Sequence, residues 1–196
     1  RKTEIANFDT IKAAFVAANN AKLYVNRQEG FIGMSLKKDE FISECSDIDE
    51  VIVFRNDGVC VVSRIQDKFF VGKEIIHVAV YKKGDERMVY NMIYKDGSSG
   101  RSMIKRFNIL SVTRDKEYRL VKDARGSKVV YFTANPNGEA EVVTVNLTAA
   151  STARKKVFDI DFADYEIKGR LASGNIVTKY SVRKVQLKTV GTSTLG

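Results

Sequence analysis

Val51-Ile52-Val53-Phe54-Arg55-Asn56-Asp57-Gly58-Val59-Cys60-Val61-Val62-Ser63-Arg64-Ile65 places apolar, β-branched runs on either side of an Asn-Asp-Gly turn. Such runs favour pleated strands, and the glycine supplies the positive φ that a tight reversal needs. The pattern recurs from Leu23 to Leu36 around Gln28-Glu29-Gly30, and from Met88 to Phe107 around Asp96-Gly97-Ser98-Ser99-Gly100. It recurs again from Val129 to Leu147 around Asn135-Pro136-Asn137-Gly138, and from Ile167 to Val182 around Ser173-Gly174-Asn175. Five such runs predict a string of β-hairpins, an all-β repeat architecture.

The hairpins come in two alternating kinds. One ends in a basic strand: Gly30 leads to Lys37-Lys38, Gly100 to Lys105-Arg106-Phe107, and Gly174 to Lys179-Tyr180. The other begins with an apolar run, Val51 to Phe54 or Val129 to Thr133. Gly30, Gly100 and Gly174 stand 70 and 74 residues apart, room for two hairpins each, or one four-stranded antiparallel blade. Blades that cannot bury both faces alone stack around an axis, so about three to four blades in a propeller-like ring are expected. The single proline leaves almost every backbone N–H free for pairing. Residues 13–196 read as one domain. Residues 1–12 read as the remnant of a linker, and the stretch that follows fits either a short helix over Ile11 to Val16 or a strand over Ala13 to Ala18. The first residue is Arg1, and Thr192 to Gly196 end without a terminating element, which predicts a piece of a longer protein.

Composition narrows the function classes. The 196 residues, 44% hydrophobic and 29% charged, suffice for a core without metal or disulfides. No apolar stretch approaches the roughly 20 residues of a membrane-spanning helix. Cys45 and Cys60 lack metal-ligand spacing and read as reduced, partly buried thiols. The sequon Asn146-Leu147-Thr148 would matter only in a secreted chain.

Catalytic motifs are missing. The one histidine, His77, lies in the apolar run Ile75 to Val80, which predicts a packed residue and not a base. Asp96-Gly97-Ser98-Ser99-Gly100-Arg101 lacks the Gly-Lys-Ser/Thr ending of a phosphate loop and reads as a hairpin turn. Two isolated cysteines and one histidine make no tetrahedral metal site. No enzymatic activity and no cofactor are expected of this segment.

Charge points to a polyanion. The net charge is +9, and residues 101–196 carry all of it, with 18 Lys/Arg against 9 Asp/Glu. In the first half, Asp39, Glu40, Glu44, Asp47, Asp49 and Glu50 form an acidic stretch free of bases. Duplex DNA carries a charge about every 1.7 Å of axis and calls for spaced cations, which strands ending in Lys/Arg provide. The candidates are Arg101, Lys105, Arg106, Arg125, Lys128, Arg154 and Lys155. Lys156, Lys168, Arg170, Lys179, Arg183 and Lys184 complete the set. Neighbours on one strand point to opposite faces, so Lys105-Arg106 and Arg183-Lys184 cannot all face one surface. A basic docking face for an acidic protein and a single-strand nucleic-acid binder are the alternatives.

Taken in order, the two hairpin kinds resemble the C-terminal domain of the A subunit of bacterial type IIA topoisomerases, that is, of DNA gyrase or topoisomerase IV. Tyr94-Lys95-Asp96-Gly97 through Ile104-Lys105-Arg106-Phe107 is similar to that family's Lys-Arg hairpin, with a longer turn. Val129 to Gly138 is similar to its Phe-Thr-x-x-Gly hairpin, with an insertion, and Val51 to Gly58 is a nearer copy. Gly169-Arg170-Leu171-Ala172-Ser173-Gly174-Asn175 resembles its late Gly-Arg-x-x-x-Gly turn. The resemblance implies a β-pinwheel whose basic outer rim binds double-stranded DNA by the backbone, with no catalytic role. It also implies two partners in a cytoplasmic, nucleoid-associated enzyme: a separate cleavage domain on the same polypeptide, and an ATPase B subunit. The gyrase-type box Gln-Arg-Arg-Gly-Gly-Lys-Gly is absent. Its nearest counterparts, Phe70-Val71-Gly72-Lys73 and Lys168-Gly169-Arg170, are degenerate, which favours the topoisomerase IV-like member.

Overall fold

The alternating runs become strands along the described chain. The computed structural model describes residues 19–122 and 125–196, so the linker remnant and the helix-or-strand segment that ends at Ala18 lie outside the described residues. The first eight strands are β1 (Ala21–Asn26), β2 (Phe31–Gly33), β3 (Glu40–Cys45), β4 (Glu50–Arg55), β5 (Val59–Arg64), β6 (Phe69–Phe70), β7 (Ile75–Tyr81) and β8 (Val89–Lys95). The rest are β9 (Ser102–Asn108), β10 (Glu117–Arg119), β11 (Lys128–Asn135), β12 (Glu139–Leu147), β13 (Val157–Asp161), β14 (Lys168–Gly169), β15 (Asn175–Thr178) and β16 (Val182–Ser193). They make four small sheets, ordered β3-β1-β2-β6, β10-β5-β4-β7, β11-β8-β9-β14 with β15 also on β9, and β13-β12-β16. The fold is all-β, with four blades of the propeller class.

By contact density the chain divides into two units. Among the described residues, the first comprises residues 19–55, 61–82 and 113–116. Its core joins Leu23, Val25 and Ile32 of one sheet to Val51, Val53, Ile75 and Val78 of the next. Gly30, at φ +83°, closes the β1–β2 turn by donating its N–H to Asn26 O at 2.9 Å. His77 lies half-buried on β7 with its ring 5.8 Å from that of Phe54.

Among the described residues, the second unit comprises residues 56–60, 83–112, 117–122 and 125–196. Its core is built from Ile93 and Ile104 of the third sheet and Val143, Val145, Leu147 and Ile160 of the fourth, with Phe162 from a short 3₁₀ turn. The Asn56–Cys60 turn belongs here: Leu120 N–H donates to Gly58 O and Val129 N–H to Asn56 O, both at 2.8 Å. Cys60 is buried, and burial pushes its thiol up to about 12. Cys45, in the first unit, is also a buried free thiol.

Three of the five expected hairpins pair as hairpins: β1 with β2, β4 with β5 and β8 with β9. Two do not. β11 pairs with β8, whereas β12 pairs with β13 and β16, so the Asn135–Gly138 turn carries the chain from one sheet to another. β14 and β15 both pair with β9, β14 in parallel and β15 antiparallel, instead of with each other. The blades accordingly hold four, four, five and three strands instead of four each. Turn chemistry fixes where the chain reverses; burial of a particular face fixes the partner.

Candidate nucleic-acid interface

The turn between β8 and β9 organises a basic part of the second unit. Asp96 is buried and points its carboxylate back into its own turn, where Oδ2 accepts from Ser99 Oγ at 2.6 Å and Ser98 Oγ at 3.2 Å. Those hydrogen bonds, Ser99's foremost, hold its carboxyl below the usual range, and the Lys122 charge adds to the effect. The chain leaves the turn through Gly100 at φ +72°, which presents Arg101 to solvent. Gly97 meets the backbone of the Arg125–Ser127 segment and donates its N–H to Ser127 Oγ at 2.9 Å. A Cβ on Gly97 would lie 2.5 Å from Ser127 N and closer still to Arg125 O, so only glycine allows this approach. Just beyond, Lys128 of β11 stands directly opposite Lys95 of β8. Two like charges in register cost stability unless an anion or water separates them.

Beside this turn lies a cleft of about 380 Å³. Its cationic walls are Arg101, Arg119, Lys122 and Arg170, and its apolar walls include Leu120, Val121, Leu171 and Ile176. The Arg170 guanidinium is set 4.3 Å over the Tyr118 ring, a cation–π contact that fixes its plane. Arg101, Lys122, Arg125, Lys128 and Lys95 are all exposed, and none forms an ion pair among the described residues.

A second group of the expected cations falls on the fourth sheet. Arg154, Lys155 and Lys156 are exposed in the segment between β12 and β13, where Lys156 Nζ donates to Ala149 O at 3.0 Å. Lys184 of β16 sits opposite Asn146 of β12, next to the exposed Arg183. Lys168 is half-buried and donates to Asn175 Oδ1 at 2.8 Å, closing the loop that follows β14. Lys179 is exposed, its Nζ 5.3 Å from the centre of the Tyr180 ring.

Lys105 and Arg106 are corrections to the expectation. Both are buried, at 1% and 3% exposure, on opposite faces of β9. Lys105 Nζ donates to Leu120 O at 3.1 Å and to Arg170 O. Arg106 Nη2 donates to Gly138 O and Thr194 Oγ1, each at 2.8 Å. Their charges are turned to internal oxygens and are out of reach of an external phosphate. Burial, with the Lys168 and Arg170 charges nearby, pulls the Lys105 ammonium down to about 8.

Residues 22–189 match the family model described as "Topoisomerase C-terminal domain, Bacteroidota". The chain belongs to this family. It is also similar to the A subunit of DNA topoisomerase 4 from Borreliella burgdorferi, 29% identical over 189 residues that make up 96% of this chain and 28% of that protein. The chain thus spans little more than a quarter of the length of that relative.

In this topoisomerase C-terminal domain, Lys95, Arg119 and Lys122 join the cationic cluster although sequence reasoning passes over them. Arg119 and Lys122 flank the apolar pair Leu120-Val121, in a segment that carries no glycine turn and follows none of the five runs. The available signal is Tyr118-Arg119-Leu120, one short alternation at the end of β10. No helix among the described residues is long and apolar enough to cross a membrane.

Proposed function

We propose that this topoisomerase C-terminal domain is a noncatalytic binder of double-stranded DNA that engages the phosphate backbone and presents the duplex to the cleavage domain of its own polypeptide. In the parent enzyme, at the nucleoid, an ATPase B subunit completes the machinery. The observation that carries the reading is the gathering of Lys95, Arg101, Lys122, Arg125 and Lys128 at one end of one sheet, exposed and without a salt bridge among the described residues. Phosphate contacts position a duplex without reading its bases, so little sequence preference is expected. The missing glycine-basic box and the name of the Borreliella relative both favour a topoisomerase IV-like role over a gyrase-like one.

The test is a fluorescence-anisotropy titration of a short duplex across a range of salt. With about six phosphates engaged, log affinity falls against log salt with a slope near −5. Arg125→Gln and Lys128→Gln should each flatten that slope by about one and weaken all sequences alike. No binding, or binding indifferent to salt, would overturn the reading and favour docking of a protein instead.

A further inference from the structure

The cleft beside the Asp96–Arg101 turn has features that a flat backbone-binding surface does not require. It is concave and within the size range of small-molecule sites. Its one lining carboxylate among the described residues is Asp96, whose Oδ2 is taken up by its own turn while Oδ1 is buried without a hydrogen-bond partner. Behind it Lys105, buried and without a carboxylate partner among the described residues, donates to the carbonyls of Leu120 and Arg170, which belong to two of its walls. Lys105 therefore pins the two wall segments together and adds a positive charge where water screens least. Like charges gathered around one cleft repel one another, and a bound anion relieves that repulsion. At the mouth, Leu171 and Ile176 are 79% and 55% exposed, an apolar lip that phosphate alone would not use.

We propose that this cleft is a nucleotide-sized pocket for one phosphate ester, with the phosphate held by Arg101, Lys122 and Arg170 and the sugar laid on Leu171 and Ile176. Arg170, fixed by its stacking on Tyr118, offers a planar donor fork suited to two phosphate oxygens. The pocket rests on the DNA-binding reading only for the origin of its ligand, which is either a nucleotide of the duplex backbone or a free one.

The experiment is an amide-resolved NMR titration of the full chain with thymidine 5′-monophosphate, and with thymidine as the phosphate-free control, at matched ionic strength. The monophosphate should shift Gly100, Leu171 and Gly174 in a saturable way, and thymidine should not. Lys122→Gln, a change at an exposed side chain, should weaken the monophosphate by about tenfold. Lys184→Gln on the fourth sheet should leave it unchanged. Shifts spread evenly over the chain, or indifference to Lys122→Gln, would overturn the pocket. The same variants titrated with duplex separate the two readings. Salt-dependent duplex binding without monophosphate binding removes the pocket alone. Monophosphate binding without duplex binding keeps the pocket and identifies its ligand as a free phosphate ester.

Discussion

His77 makes a residue-scale prediction with a definite sign. Burial, and then the charge of Arg27, depress its imidazole to about 4. The unfolded chain takes up the proton near 6.5, so between these values unfolding absorbs protons and acid favours it. The residue's contribution is full above pH 6.5, and up to about 3 kcal/mol is lost as the pH falls towards 4. Urea unfolding across that window should show the loss, and His77→Gln should flatten it; an equally steep decline in the variant would contradict the assignment. The same scale shows where sequence reading stops. Alternation sends Lys105 and Arg106 to opposite faces, as the structure has it, but alternation does not reveal that both faces of β9 are covered. What covers them, Leu120 and Arg170 on one side and Gly138 and Thr194 on the other, is separated from them in sequence by 15 to 88 residues. A lysine written in a strand looks the same whether its end meets water or a carbonyl.

At the scale of elements, the approach of the β8–β9 turn to the Arg125–Lys128 segment depends on Gly97. Gly97→Ala should cost about 1–3 kcal/mol, since overpacking forces backbone to move. It should also separate Arg101 from Arg125 and lower duplex affinity. Gly100→Ala meets open space and bears only the strain of its left-handed φ, about 1–2 kcal/mol, so thermal melts should drop while affinity holds. Equal losses of affinity in the two variants would show that the close approach does not assemble the cluster. Turns such as Asn56-Asp57-Gly58 are legible because their chemistry is local. The pairing of β11 and β12 is not, since Asn135-Pro136-Asn137-Gly138 reverses the chain equally well within a sheet or between two.

At the scale of the whole molecule, the lack of the glycine-basic box leads to an expectation about DNA topology. Nicked plasmid sealed in the presence of the domain should give topoisomers centred where naked DNA gives them; a marked displacement of that distribution would speak for gyrase-like wrapping. A different consequence follows from the twelve-residue β16, the strand flanking β12 opposite β13. While the chain is being synthesised, β12 is made some 35 residues before Val182 and must wait with one margin open and Val143 and Val145 unsheltered. The second unit therefore completes its fold late, after Ser193 has left the ribosome, and ribosomes stalled between β13 and β16 should yield nascent chains prone to aggregate or to engage chaperones.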